Sequence, residues 1–438
     1  MTRFFSALLI LAATFTTAAR AEVDIQEVKT PGGLTAWLVE EHSIPFTALE
    51  IWFKGGASLD RPGKRGAINL MTATLEEGAG EMDALGFSRA KESLAASFGY
   101  DVSADTLSVS AKFLSENRDE ATELLRQSLI EPRFDQDALD RVKAQIVSII
   151  RSDEKDPNDI AGKEFNTQAF GEHPYASDMN GTVDSVTALT REDILNAKAD
   201  TMARDRIYIG AVGDITPDEL AALLDKLLGD LPETGAPLPG DVDLGLTGGV
   251  TVVPFDTPQS VALFGHAGVE RHGDDFFPAY ILNTILGGGS FESRLMKEVR
   301  VKRGLTYGVY SFLVDRDHAD LWMGQVQSAN NRVGEAIEVI KDEWADIAAN
   351  GVTQEELDAA KKYLTGAYPL RFDGNGPIAN IITGMQITDM PIDYADTRND
   401  QVNAVTLEQV NDVARRYLKP DDLRFVVVGQ PEGLTSTN

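Results

Sequence analysis

The chain has 438 residues, 43% of them hydrophobic and 25% charged, which is enough apolar material for two or more packed cores and argues against disorder. A formal net charge of −29 repels phosphate backbones and speaks against a nucleic-acid partner. The absence of cysteine removes thiol catalysis, thiolate metal ligands and disulfides together.

In chain order, the first residues read as a secretory signal. Arg3 gives a positive start, Phe4 to Ala13 is an apolar run too short to span a bilayer, and Ala19-Arg20-Ala21 offers small residues where a signal peptidase reads them. Cleavage after Ala21 starts the mature chain at Glu22 and sends it to the periplasm. No later apolar stretch is long enough to cross a membrane, so none is expected after signal cleavage. The first half then predicts strands over 34–40, 47–54, 106–113 and 206–212, with helices over 66–76, 87–97, 117–128, 136–151 and 191–201. Leu231 to Gly240 holds three prolines and two glycines in ten residues and opens a linker over 231–246. The second half predicts strands over 250–254, 260–265, 305–313, 319–326 and 423–428. Its helices are expected over 276–286, 292–301, 332–348, 354–367 and 407–417. Paired strands and grouped helices indicate an α+β layer rather than a doubly wound sheet.

The two halves repeat each other. Gln136, Leu139, Asp140 and Lys143 match Gln354, Leu357, Asp358 and Lys361 at one constant offset. Further on, Leu189-Thr190-Arg191-Glu192-Asp193 and the strand 206–212 correspond to Val405-Thr406-Leu407-Glu408-Gln409 and the strand 423–428 at nearly the same offset. The expected organisation is two homologous domains in tandem, 22–230 and 247–438.

Gly287-Gly288-Gly289 breaks one helix, Ser290 is placed to cap the next, and Gly304 suits its left-handed end before a strand. A phosphate-loop reading fails because no Gly-Lys-Ser/Thr follows and no strand directly precedes the glycines. The stretch from Leu286 to Ser311 resembles the C-terminal homologous domain of the pitrilysin/insulinase peptidases, particularly the mitochondrial-processing-peptidase-like branch. Phe170-Gly171-Glu172-His173-Pro174-Tyr175, with Asn180-Gly181-Thr182, is similar to a segment of the same family's first half. The resemblance implies two similar α+β domains enclosing a chamber, with two such chains pairing into a clamshell.

It also implies a zinc motif, His-x-x-Glu-His, on an early helix. Two histidines four apart share one helical face, and the glutamate serves as base on a zinc-bound water. Here Asn69, Thr72 and Ala73 stand at those three positions, and the later helix over 142–151 brings no carboxylate where the third protein ligand is expected. His42, His173, His266, His272 and His318 are scattered, with no pair at helical ligand spacing. The chain is therefore expected to bind no metal. The family's paired arginine and tyrosine fall on Arg300 and Tyr307, whose donors are implied to stabilise the oxyanion at a scissile carbonyl. Gly99, Tyr100, Val102 and Ala104 resemble the edge strand to which an extended peptide adds.

The resulting expectation is a non-catalytic, substrate-binding subunit of a heterodimeric periplasmic zinc endopeptidase acting on unfolded peptides. Zinc and base come from a homologous partner bearing the motif, and the chain is inactive alone. The alternative is a catalytically inactive structural or peptide-binding homologue of the same fold. A serine hydrolase is excluded by the lack of a Gly-x-Ser-x-Gly motif and of a recognisable triad.

Overall fold

The computed structural model describes residues 23–289 and 291–437. The predicted signal peptide and the predicted cap at Ser290 lie outside the described residues. The strands are β1 (Gln26–Lys29), β2 (Thr35–Glu40), β3 (Phe46–Lys54), the short pair β4 (Gly78–Ala79) and β5 (Met82–Asp83), β6 (Ser97–Val102), β7 (Thr106–Leu114), β8 (Ile207–Gly213), β9 (Gly249–Pro254), β10 (Gln259–Ala267), β11 (Thr306–Arg316), β12 (Ala319–Ala329) and β13 (Arg424–Gly429). The helices of the first half are α1 (Ala67–Ala73), α2 (Ala84–Ser93), α3 (Arg118–Ile130), α4 (Gln136–Asp153), α5 (Pro157–Phe170), α6 (Val183–Ala188), α7 (Arg191–Thr201) and α8 (Pro217–Leu228). Those of the second half are α9 (Phe276–Leu286), α10 (Val333–Asn350), α11 (Gln354–Ala367), α12 (Asn375–Ile387), α13 (Tyr394–Ala404) and α14 (Leu407–Tyr417).

The two main sheets carry one topology. The first runs β1-β2-β8-β3-β7-β6 and the second β11-β12-β10-β13-β9. Reading the second backwards, β9, β13, β10, β12 and β11 take the places of β2, β8, β3, β7 and β6, and β1 is an addition. Strand directions agree as well, since β2–β8 and β9–β13 are the parallel pairs. The duplication seen in sequence is thus a duplication of fold.

The repeated side chains have identifiable structural work. Gln136 donates to Asp140 at 2.7 Å and Gln354 to Asp358 at 2.8 Å, each across one turn of α4 or α11. Leu139 and Leu357 are buried in the two main cores. The Lys143 ammonium donates to the Leu189 carbonyl, and Lys361 to the carbonyl of Val405. Each acceptor immediately precedes a capping box, at Thr190 for α7 and Thr406 for α14. In both halves, one lysine therefore ties a long helix to the start of the helix that leads into the central strand.

Each sheet is covered on one face by helices of its own half and on the other by a helix from the opposite half. Phe165, Ala161 and Ala169 of α5 pack with Val261, Met323 and Val426 of the second sheet. Reciprocally, Ala379, Ile382 and Met385 of α12 pack with Trp37, Ala48 and Val212 of the first sheet. The approach of α12 is close at Gly210, where a Cβ would lie 2.2 Å from the Thr383 hydroxyl. Residues 231–248 carry no helix or strand, yet they are tied down: the Val242 amide donates to the His318 carbonyl and the Gly245 amide to that of Ala169.

Several expectations are corrected. Neither α5 nor α12 was predicted, nor were β1, α6, α8 and α13. α2 begins earlier than the predicted 87–97 because the Asp83 carboxylate accepts from the Gly86 amide and starts the helix, and Ser97 already belongs to β6. The helix expected over 292–301 is wound as a π-helix over Met296–Lys302, with the Leu305 amide reaching back to the Val299 carbonyl.

Candidate functional site

The degenerate motif sits on α1, whose start is fixed by the buried Asp60 carboxylate. It accepts from the Gly66 amide at 2.8 Å and the Ile68 amide at 2.9 Å. Asn69 donates to the Asn180 side chain at 2.9 Å, and Asn180 in turn to Asp153 at 3.5 Å. The Thr72 hydroxyl is buried and bonds back to the Ile68 carbonyl, and the Ala73 methyl is exposed. An amide already engaged, a back-bonded hydroxyl and a methyl group do not fit zinc, which takes imidazole, carboxylate or thiolate donors. α4 extends two residues beyond its predicted end and brings Asp153 into this network, and burial together with nearby Asp178 raises the Asp153 pKa. Among the described residues, no group of three His, Cys, Asp or Glu could hold a metal ion.

Arg300 and Tyr307 flank the reversal at Gly304, whose φ of 59° is the left-handed value that favours glycine. Two irregularities present them. The π-winding of 296–302 carries Arg300, whose guanidinium lies 4.6 Å from the centroid of the exposed Phe291 ring. A bulge between Thr306 and Val309 in the β11–β12 ladder carries Tyr307. Thr306 and Val309 both point inward, three residues apart instead of two, so the intervening Tyr307 is pushed outward and is 83% exposed. The Thr306 hydroxyl holds the bulge by donating to the Gln327 carbonyl at 2.6 Å and accepting from the Gly308 amide at 3.0 Å. Among the described residues no carboxylate pairs with Arg300, and no hydrogen bond links it to Tyr307. π-turns and bulges recur where a fold aims side chains for a task.

β6 is the free edge of the first sheet, beside α1. The Ser103 amide donates to the Thr106 carbonyl, so alternation directs the backbone of Asp101 and Gly99 toward β7 and that of Val102, Tyr100 and Phe98 outward. Of the outward amides, that of Val102 is taken by the Asp101 carboxylate at 2.8 Å. The Tyr100 ring lies in the core, with its hydroxyl 2.5 Å from that of Ser128, and burial raises its pKa. Ala104 lies beyond the strand and its carbonyl accepts from the Ser58 amide. The four candidate positions thus divide: Tyr100 and Val102 face the edge with their backbones, and Gly99 and Ala104 are engaged elsewhere.

The histidines hold one surprise. His173 and His318, far apart in sequence, lie edge to face with ring centroids 5.8 Å apart where the halves meet. Spacing could not reveal this pair. His266 is a core residue: Nδ1 donates to the Ala267 carbonyl and Nε2 accepts from the Trp344 indole at 2.9 Å.

Comparisons with known proteins place this geometry. Residues 36–183 match the model of insulinase (peptidase family M16), and residues 188–364 match that of the peptidase M16 inactive domain. The chain is 28% identical to the "Non-peptidase homolog YmxG" of Helicobacter pylori over 89% of its own length and 90% of that protein. It is 22% identical to the mitochondrial-processing peptidase subunit beta of Blastocladiella emersonii over 94% and 90% of the two chains. The crystal structure of a peptidase M16 inactive domain from Pseudomonas fluorescens superposes with a TM-score of 0.87 at 28% identity, covering 94% of this chain and 99% of that one. Two tandem domains of one topology, and family matches that together span residues 36–183 and 188–364, establish that the chain belongs to the insulinase (M16) peptidase family, with a degenerate motif helix of its own.

Proposed function

We propose that this chain is the zinc-free, substrate-gripping subunit of a heterodimeric periplasmic zinc endopeptidase. A homologous partner supplies zinc and general base, and Arg300 and Tyr307 reach the scissile region of an unfolded peptide from this side. The observation that carries the reading is Tyr307 itself, a tyrosine 83% exposed on an anchored bulge, across the Gly304 reversal from an arginine without a carboxylate partner among the described residues. A phenol and a guanidinium so placed can donate to a carbonyl oxygen as negative charge grows on it. A second reading, an inactive structural or peptide-binding homologue, is favoured by the relatives named "non-peptidase homolog" and "inactive domain".

The test is reconstitution with a homologue that carries His-x-x-Glu-His. The expected result is no cleavage of an unfolded peptide by this chain alone and cleavage by the equimolar mixture. Tyr307→Phe should lower the turnover of the mixture by about 100-fold, the scale of one lost oxyanion donor, without changing complex formation. Unaltered turnover in Tyr307→Phe would remove Tyr307 from the chemistry, and an inactive but stable mixture would favour the second reading.

A further inference from the structure

A cavity of 510 Å³ opens between the halves, away from both degenerate motif and exposed tyrosine. Aromatic rings wall it: Trp52 from β3, Phe276 and Tyr280 from α9, Phe312 from β11, Tyr368 after α11, and Tyr394 from α13. Four charged side chains line it, and three of them are arginines, Arg271, Arg371 and Arg398, against the single acid Asp315. A chamber lined mostly by cations is the reverse of the chain's overall charge of −29.

Arg398 is 5% exposed, with its guanidinium 4.4 Å from the Tyr368 ring centroid and 5.5 Å from that of Tyr280. It donates to the Leu364 carbonyl at 3.0 Å and to the Asn399 side chain at 2.9 Å, and among the described residues no carboxylate pairs with it. A buried cation without an anion carries a desolvation cost that a bound anion would relieve. Arg271 stacks on Phe276 at 3.9 Å and has Asp315 at 3.6 Å. Arg371 is exposed and makes no ion pair among the described residues. Glu50, which accepts from the Trp52 indole at 3.1 Å, and Lys112 lie with Arg371 in the adjoining groove.

The backbone beside the cavity narrows the class of ligand. On β11 the Ser311 amide donates to the Gly287 carbonyl, so it faces away from β12. Asn283 covers the Ser311 carbonyl at 3.2 Å. Alternation directs the backbone of Leu313 and then Asp315 to that same outer edge, and both residues line the cavity. A peptide entering there finds strand-type hydrogen bonds, aromatic walls for a side chain and arginines for a negative charge. The smallest peptide element that offers a ring and a carboxylate on one residue is a chain terminus.

We propose that this cavity binds the C-terminal carboxylate of a peptide ending in an aromatic residue, with Arg398 and Arg371 holding the carboxylate and the rings holding the side chain. The site is separate from Tyr307, about 20 Å along β11 for six residues of strand, and it requires neither a partner nor cleavage.

The experiment is calorimetric titration of the mature chain with N-acetyl-Gly-Leu-Phe as the free acid, as its amide, and with N-acetyl-Gly-Asp-Phe-amide. The acid should bind at least about tenfold more tightly than either amide, the scale of a charge-assisted hydrogen bond. Arg371→Gln should remove most of that preference, and because Arg371 is exposed and makes no ion pair among the described residues the fold is not at stake. Arg398→Lys, which keeps the charge but loses the planar stacked group, should lower the acid's affinity and leave the amides unchanged. Equal binding of acid and amides, or saturable binding by none of the three, overturns the proposal. Tighter binding of the aspartate peptide than the acid overturns the assignment to a terminus. Each of these results is independent of reconstituted cleavage, so failure here and failure of the proposed enzyme function are distinguishable.

Discussion

The two halves share strand order, strand direction and helix anchors, yet their corresponding edges have diverged. In the first half, edge strand β6 lies beside α1, a regular helix whose three motif positions have become an engaged amide, a back-bonded threonine and an exposed methyl. The second half places β11 at the same edge, and the segment leading into it is irregular twice over, π-wound at Arg300 and bulged at Tyr307. The half without zinc-ligand side chains carries its motif positions on a regular helix. The half that retains exposed donors keeps backbone irregularities that regular structure would erase. Duplication fixed the frame, and the edge is where the copies were free to differ.

The comparison predicts first that the exchanged helices are core to both halves. Phe165→Ala in α5 should cost about 3–5 kcal/mol and Ile382→Ala in α12 about 2–5 kcal/mol. Chemical denaturation followed in both variants should show one transition for the whole chain; two separate transitions would mean that the halves fold independently and the exchange is incidental. Next come the matched lysines. Lys143→Met and Lys361→Met each remove a charged hydrogen bond to the residue before a capping box, and each should cost about 1.5–3 kcal/mol. Closely similar losses would support equivalent roles; a large loss at one site and none at the other would break the equivalence.

A smaller effect is expected from pH. His266 must stay neutral to accept from Trp344, and burial holds its pKa below 6.5; burial lowers that of His173 as well. The unfolded chain takes up these protons from about pH 6.5 downward, and the folded chain resists them until their lower pKa values are reached. Stability contributed by both groups is therefore full above about pH 6.5 and lost as pH falls through the folded values. His42, raised by Asp214 and Glu40, acts in the opposite sense, but it is exposed and screened. Thermal melts should show a lower Tm at pH 5 than at pH 7, with a weaker dependence in His266→Leu. The smallest effect is expected at the degenerate motif helix itself: Ala73→His, on an exposed position, should change stability by no more than about 0.5 kcal/mol and confer no zinc binding detectable by metal analysis.

Much of the frame was legible in the sequence. Strands such as 106–114 and helices such as 136–153 carry their periodicity in adjacent residues, and the Gln-Leu-Asp-Lys pattern recurs because the same local bonds are made twice. α5 and α12 were not legible. Their buried sides mix small residues, Ala161, Ala169 and Ala379, with large ones, Phe165, Ile382 and Met385, and the surface they pack on belongs to the other half, which no local spacing reveals. The candidate site divides in the same way. Replacement of the ligand side chains at Asn69, Thr72 and Ala73 is a matter of residue identity, so sequence suffices. Exposure of Tyr307 depends on a bulge whose cause is the Thr306 hydroxyl reaching across to Gln327.

By itself, the sequence determined the duplication, the α+β class and the chemical poverty of the motif helix, because each follows from residue types at short range. Only the tertiary structure decided that the halves exchange helices, that His173 meets His318, and that three arginines from separate segments gather among aromatic rings. Those outcomes depend on which surfaces meet once two sheets are folded against each other. Residues that become neighbours in that way leave no spacing along the chain to be read.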